Sequence, residues 1–372
     1  MNSSTSNSKS RCSNLFSKKE MAISLIFFLG LSGLLTGLNI YVDPFDFYLS
    51  SIRLDVDRRK LFRLKNTALW ASGEVQKIPK KTLSSTSIVI IGDSRGRQLT
   101  GANDRTLPIH KSSKFITNYS FGGAHQGEMI RFFEGLNFKL NSLETAIVLV
   151  SFDRLSQSSD YSRIDDATLA ARFPLSYLFN FRTISYYWDE LITSSLGEVV
   201  QSKAIATENQ KDNNETSIED KKVIDIVNRR IESTNEKQAM YILDQEVFPS
   251  IDLLINQGTK VVFYMPPVHP QIEESISQSQ QSLYQLVIER LLEKGDVYDL
   301  SMYDGASSVF EFADPMHTTG AAHSILEDIL NCANSEEKSL CVSQFKNNQY
   351  SPFLSKGSKN THAHQILDQS QP

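Results

Sequence analysis

From Met21 to Val42 the chain reads MAISLIFFLGLSGLLTGLNIYV without a single charge, and such a run leaves it few options. At the helical rise of about 1.5 Å per residue the run matches the hydrocarbon core of a bilayer, about 30 Å thick. A core helix of a globular body seldom lacks charge over this length. A cleaved leader has a shorter apolar stretch and a small-x-small cleavage site, and none stands out here. Lys9, Arg11, Lys18 and Lys19 precede the run, whereas Asp43-Pro44-Phe45-Asp46 follows it. Cationic flanks stay on the cytoplasmic side. The sequence therefore predicts a cytoplasmic tail over 1–20, a single transmembrane anchor over 21–42, and a main body outside the cell membrane, in the periplasm or its equivalent.

That body is expected to fold, since the 372 residues are 40% hydrophobic and 22% charged, well inside the globular range. A net charge of −5, with Lys and Arg scattered along the chain, lacks the basic face that nucleic acid demands. Cys12, Cys332 and Cys341 show no zinc spacing. Cys332 and Cys341 lie close enough in sequence to bridge in an oxidising compartment, or to remain two thiols.

Beyond the anchor, apolar runs of strand length alternate with helical periodicity. Residues 43–84 read as a juxtamembrane helical segment, with an amphipathic helix over Arg53–Gly73 against the body or the lipid surface. Strands are predicted at Ser87–Ile91, Lys114–Tyr119, Thr145–Val150, Lys260–Tyr264 and Val297–Leu300. Helices are predicted at Glu128–Leu140, in parts of Leu169–Leu196, within Val223–Leu254, over Ser275–Glu293 and near Gly320–Leu330. Gln201–Asp220 is a polar insertion. The α/β domain spans 85–335, and 336–372 forms a C-terminal tail, disordered from Ser351 on. Such alternation specifies a mostly parallel, doubly wound sheet, whose active residues gather at the carboxyl ends of its strands. Ser94, Gly122 and Asp153 each stand just past such an end.

Three of these residue types make a reactive set. An alcohol needs a base to take its proton as it attacks, and histidine titrates in the right range. The imidazole in turn needs an acceptor on its other nitrogen to fix tautomer and orientation. Ser94 follows the first strand through Gly92-Asp93. Asp314 precedes His317 by three residues across Pro315, so a tight loop can bring carboxylate and imidazole together.

These residues resemble the SGNH/GDSL hydrolase superfamily. The strand followed by Gly92-Asp93-Ser94 matches the family's first block, and Asp314-Pro315-Met316-His317 its last. The resemblance implies a three-layer α/β/α sandwich, with Ser94 as nucleophile, His317 as general base and then acid, and Asp314 as its orienting partner. It implies an oxyanion hole from the N–H of Ser94 and that of Gly122 or Gly123. The third block departs from the pattern: Val150-Ser151-Phe152-Asp153 carries no asparagine, leaving Ser151 or His125 as substitutes. Anchor, Gly-Asp-Ser-Arg start and Asp-Pro-x-His-Thr end together resemble anchored SGNH-like proteins of bacterial envelopes that acylate surface polysaccharides. The expectation is a serine esterase or O-acyltransferase, acting through an acyl-enzyme on the acyl (above all acetyl) groups of a cell-envelope glycan. Its partners would be the acylated glycan or a membrane protein that donates acyl groups. The alternative is a catalytically silent scaffold of the same fold in a polysaccharide modification or export complex.

Further residues take weaker roles. His125 and Gln126 follow the double glycine and either line the site or open a helix. Asp153, and His269 in Pro266-Pro267-Val268-His269-Pro270, end strands at the active edge. Arg95 and Arg97 follow the nucleophile and either meet an anionic substrate group or pair with nearby carboxylates. His317 and His323 are spaced wrongly for a helical zinc pair, and Gly122-Gly123-Ala124-His125-Gln126-Gly127 lacks the lysine of a phosphate loop. No metal and no cofactor are expected.

Overall fold

The computed structural model describes residues 18–42, 67–101, 104–110, 112–136, 143–157, 159, 161–173, 218–301, 310–319, 322–334 and 352–356. Its centre is a sheet of β1 (Thr86–Ile91), β2 (Thr106–Pro108), β3 (Phe115–Asn118), β4 (Thr145–Leu149), β5 (Lys260–Met265) and β6 (Asp296–Asp299). A separate hairpin joins β7 (Glu311–Asp314) to β8 (His317–Thr319), and β9 (Phe353–Leu354) completes the main sheet. The order across that sheet is β2-β3-β1-β4-β5-β6-β9. The five inner strands are parallel, and the two edge strands run antiparallel to their neighbours.

This arrangement follows from the strands' composition. β1 is TSIVII and β4 is TAIVL, each buried along its whole length. Continuous β-branched runs of this kind are stable where helices cover both faces of the sheet. The covering helices are α2 (Thr67–Gln76), α3 (Lys80–Ser84), α4 (Ser94–Gln98), α5 (Gln126–Leu136), α6 (Ser162–Arg172), α7 (Ile218–Ser233), α8 (Glu236–Tyr241) and α9 (Phe248–Asn256). They continue with α10 (Pro270–Ser279), α11 (Gln281–Leu292) and α12 (Ala322–Asn334), while α1 (Lys18–Val42) precedes them all. α8 passes into α9 through the wider turn Ile242–Val247. One core runs through the sheet and its helices, including Ile90, Phe132, Ile147, Phe263, Leu291 and Ile329.

The molecule is therefore α/β with a mostly parallel sheet, as the alternation implies. Each of the five expected strands is present, displaced by a residue or two at its ends. The edge strands and the hairpin differ from expectation. β2 and β9 are short edge strands, and β9 lies in the stretch expected to be a disordered tail. Phe353 and Leu354 are buried there against β6, through the pairs Val297↔Leu354 and Tyr298↔Phe353. Asp314 and His317 sit on a hairpin rather than in a plain loop. Of the amphipathic segment, residues 53–66 lie outside the described residues. The described part, α2, buries Ala68, Leu69, Ala71 and Val75 in the core, so it is a wall of the body. The polar insertion lies outside the described residues up to 217, and Ile218–Asp220 opens α7.

α1 stands apart: Ile23, Ile26, Phe27 and Phe28, spread around its circumference, are all exposed. Among the described residues no helix is long and apolar enough to cross a membrane. Cys332, buried on α12, is disulfide-bonded, and the other two cysteines lie outside the described residues.

Candidate active site

The order β3-β1-β4 places the reversal of winding between β1 and β4, and in such sheets a crevice opens there at the carboxyl ends. Ser94 emerges at that crevice. β1 ends at Ile91, and Asp93 caps α4 by accepting the Arg95 N–H at 2.9 Å. The cap fixes Ser94 as the first helical residue, half-buried. The turn admits no bulk: a Cβ on Gly96 would lie 2.7 Å from Ser120 Oγ.

His317 reaches this hydroxyl from the β7–β8 hairpin. Its Nε2 stands 2.7 Å from Ser94 Oγ, across a separation of 223 residues. Its Nδ1 lies 2.7 Å from Asp314 Oδ2 and 2.9 Å from Oδ1. Pro315 and Met316 form the two-residue turn, a length hairpins favour. Asp314 also accepts the Met316 N–H at 2.8 Å, closing an Asx-type turn. Partial burial works to raise the Asp314 pKa, but the hydrogen bonds from His317 and Met316 outweigh it and hold the carboxyl below its ordinary value. An ionised carboxylate on Nδ1 keeps the proton there and leaves Nε2 free to accept one from Ser94. The hydrogen bonds thus bring Ser94, His317 and Asp314 together in one line.

Two groups of N–H donors lie on the turns that follow β1 and β3. Ser94 N, at the first position of α4, donates no hydrogen bond among the described residues. The Gly122-Gly123 loop is tied to the same turn, since Phe121 N donates to Gly92 O at 3.1 Å. Gly123 takes φ +67, a left-handed conformation that favours glycine. Its carbonyl accepts from Arg163 at 2.8 Å, and the Gly122 carbonyl accepts from Thr67. Both carbonyls are therefore held away from the site, and the amide N–H groups of Gly122 and Gly123 make no backbone hydrogen bond among the described residues.

The third-block residues have a different use. Arg95 is buried, and its guanidinium meets Asp93 at 2.6 Å, Asp153 at 3.5 Å and the Ser151 hydroxyl. Burial alone would lower the Arg95 pKa, but the charges of Asp93 and Asp153 drive it upward. Burial raises the Asp93 pKa, and the Arg95 charge and hydrogen bonds bring it below the ordinary value. Arg95 is therefore not available to a substrate anion: it fastens the β1 turn to the β4 turn under the nucleophile. Arg97 is likewise taken, by the Asp104 carbonyl at 2.6 Å and Glu74 at 3.3 Å. The Ser151 hydroxyl accepts from Arg95 and lines the cleft, with its own O–H still a donor. Asp153 belongs to the same ion cluster, with Arg154 Nε 3.4 Å away.

His269 caps α10, its Nδ1 accepting the Gln271 N–H at 3.4 Å, and its ring packs against Phe312 of the hairpin at 5.7 Å. It supports the element that carries Asp314 and His317 rather than facing Ser94. Gln126 is fully buried and donates to the Leu149 carbonyl at 2.6 Å, prolonging the β4 edge. His125 keeps a buried Nδ1 with no hydrogen-bond partner, and burial lowers its pKa.

Asn118, at the end of β3, was not foreseen from sequence. Its Nδ2 donates to the Gly96 carbonyl at 2.8 Å and to Thr100 Oγ1 at 2.9 Å, while Oδ1 accepts the Ser120 N–H at 2.9 Å. It binds the nucleophile's helix to the glycine loop. A polar residue closing an apolar strand was the available signal. Beside the triad, a cleft is walled by Val227, Ile231, Val268, Ile272, Ile276 and Met316, with Arg95, Ser151 and Asp153 also lining it.

Set beside known proteins, the chain matches no family model, no curated protein and no solved structure.

Proposed function

We propose that this chain is a serine hydrolase or acyltransferase of SGNH/GDSL type, anchored by its N-terminal helix, that acts on acyl esters of a cell-envelope glycan. The observation that carries the reading is the hydrogen-bonded line from Ser94 Oγ through His317 to Asp314, with 2.7 Å at each step. Both distances lie within proton-transfer reach. Ser94 Oγ attacks the acyl carbonyl as His317 takes its proton. The oxyanion gathers at the N–H groups of Ser94 and the Gly122-Gly123 loop. His317 then protonates the departing alcohol, leaving an acyl-enzyme. Water or a sugar hydroxyl, deprotonated by His317, attacks the acyl-enzyme, releases the acyl group and restores the serine.

The outer-face placement rests on the uncharged run over 21–42 with its cationic N-terminal flank, and on the disulfide at Cys332, a bond that persists in oxidising compartments. A silent scaffold is the second reading, favoured by Val150-Ser151-Phe152-Asp153, which lacks the asparagine of the family's third block. Labelling the full-length chain with a fluorophosphonate probe decides between them. The active reading expects modification at Ser94, lost in Ser94→Ala and strongly slowed in His317→Ala. An intact chain that stays unlabelled belongs to the scaffold.

A further inference from the structure

The glycine loop after β3 is fastened at four points, and all four spare the same amides. Phe121 N donates to Gly92 O at 3.1 Å. The Gly122 carbonyl accepts from the Thr67 hydroxyl, and the Gly123 carbonyl accepts from Arg163 Nη2 at 2.8 Å. His125 N donates to Glu128 Oε2 at 2.7 Å. Arg163 grips that carboxylate as well, with its Nε 2.9 Å from Oε1 and its Nη2 against Oε2. Glu128 is fully buried, so the arginine that holds the loop is itself held. Among the described residues, the N–H groups of Gly122, Gly123 and Ala124 make no backbone hydrogen bond.

Two consecutive glycines need such holding. Without a Cβ, each can turn its peptide plane over at little steric cost, and Gly123 already lies in the left-handed region at φ +67. In a trans peptide the C=O and the N–H that follows it point opposite ways. Fixing the Gly122 carbonyl on Thr67 therefore sets the direction of the Gly123 N–H. Fixing the Gly123 carbonyl on Arg163 sets that of the Ala124 N–H in the same way. Thr67 also abuts the loop sterically, since a Cβ on Gly122 would lie 3.4 Å from its methyl group. Oxyanion stabilisation depends on donors aimed before the charge develops. The two clamps come from outside the triad's own turns. Thr67 opens α2, the first described element after α1, and Arg163 lies on α6; these helices pack against each other.

We propose that Thr67 and Arg163 are positioning residues, through which the packed pair α2 and α6 aims the Gly123 and Ala124 amides. That these amides receive an oxyanion rests on the serine hydrolase or acyltransferase reading; the clamp on the loop does not.

Gly122-Gly123 is the one Gly-Gly pair in the sequence, which gives the loop its own spectroscopic signature. The full-length chain in detergent micelles, carrying glycine labelled with ¹³C at the carbonyl and with ¹⁵N, yields a single carbonyl-filtered amide peak, that of Gly123. Thr67→Val keeps the side-chain shape and removes the donor, so this peak should move or broaden, and Thr67→Ser should return it. On p-nitrophenyl acetate, kcat should fall about tenfold in Thr67→Val, the worth of one neutral hydrogen bond. KM and the pH midpoint of kcat/KM should stay put, because His317 and Asp314 are untouched, and Thr67→Ser should recover most of the rate. Arg163→Lys, which keeps a cation beside Glu128 but loses the fork, should lower kcat in the same manner. A merely structural role would lower Tm and leave both the peak and kcat of the folded chain in place, and that result overturns the proposal. So does a fall in kcat without a moved peak. An inert wild-type chain whose peak still responds to Thr67→Val keeps the clamp and removes the catalytic reading. An active wild-type chain whose kcat ignores Thr67→Val keeps that reading and removes the positioning role.

Discussion

Asp314→Asn is the sharpest perturbation of the proposed chemistry, because it preserves shape while inverting the hydrogen-bond pattern. The asparagine oxygen would still accept the Met316 N–H that closes the turn. Its amide nitrogen would then face His317 Nδ1, at the place where Oδ2 now lies 2.7 Å away. An amide donor there forces Nδ1 to accept, which moves the imidazole proton to Nε2, the atom that must take the Ser94 proton. The charge is lost as well. A hydrogen bond to a charged group contributes about 1.5–3 kcal/mol, or roughly 10–150-fold in rate. The Asp314 side chain is 46% exposed, so solvent screening puts the charge contribution at the lower end. Tautomer inversion in serine triads costs up to about 10⁴-fold. The combined expectation is a fall of about 10²–10⁴ in the second-order rate of fluorophosphonate labelling at Ser94, with unchanged thermal stability to within about 1 kcal/mol. Stopped aliquots resolved by in-gel fluorescence read that rate. A loss of less than about threefold in a folded variant would mean that Asp314 does not orient the base, and the triad would have to be abandoned.

Other outcomes follow from the same geometry. Arg95→Met leaves Asp93 and Asp153 buried without their shared cation and should cost about 3–5 kcal/mol, read as a lowered urea midpoint. Asp93, with its folded-state pKa depressed below 3.8, stabilises fully above that value, and the stabilisation disappears as pH falls through the depressed value. Urea midpoints should therefore hold between about pH 6 and about pH 4.5 and drop by about pH 3. Phe353→Ala removes a buried ring from β9 and should cost about 3 kcal/mol; an effect below about 0.5 kcal/mol would mean that β9 is not docked in solution. Asn118→Ala leaves the Gly96 carbonyl and the Ser120 N–H without their side-chain partner and should cost about 1–3 kcal/mol, with slower labelling of Ser94.

What could be read from the sequence, and what could not, divides along physical lines. Runs such as Ser87–Ile91 and Thr145–Val150 announce themselves because a strand buried on both faces needs continuous apolar side chains, and no other short element does. β9 gave no such signal: two residues at an edge gain their burial from a single neighbour, amid polar flanks. The hairpin was hidden for a related reason, since Glu311–Asp314 is polar and its partner strand is only three residues long. Ser94, Asp314 and His317 were legible because their chemistry restricts residue type and order. The engagement of Arg95 was not, because its partners depend on the turns after β1 and β4 meeting in space. An arginine beside a nucleophile looks the same in sequence whether it faces a ligand or a buried aspartate.

The β7–β8 hairpin makes the triad a two-body problem. Asp314 and His317 are cross-strand partners on one short ribbon, and the Asp314 carboxylate also closes its turn, so acid and base arrive already aligned. Assembling the reactive line then requires one rigid-body docking of ribbon onto nucleophile turn, with His269 against Phe312 as a second point of purchase. The precision of proton transfer is consequently set at a joint between two units, and substitutions at that joint, well away from all three reactive side chains, would change rate by tilting the imidazole as a whole.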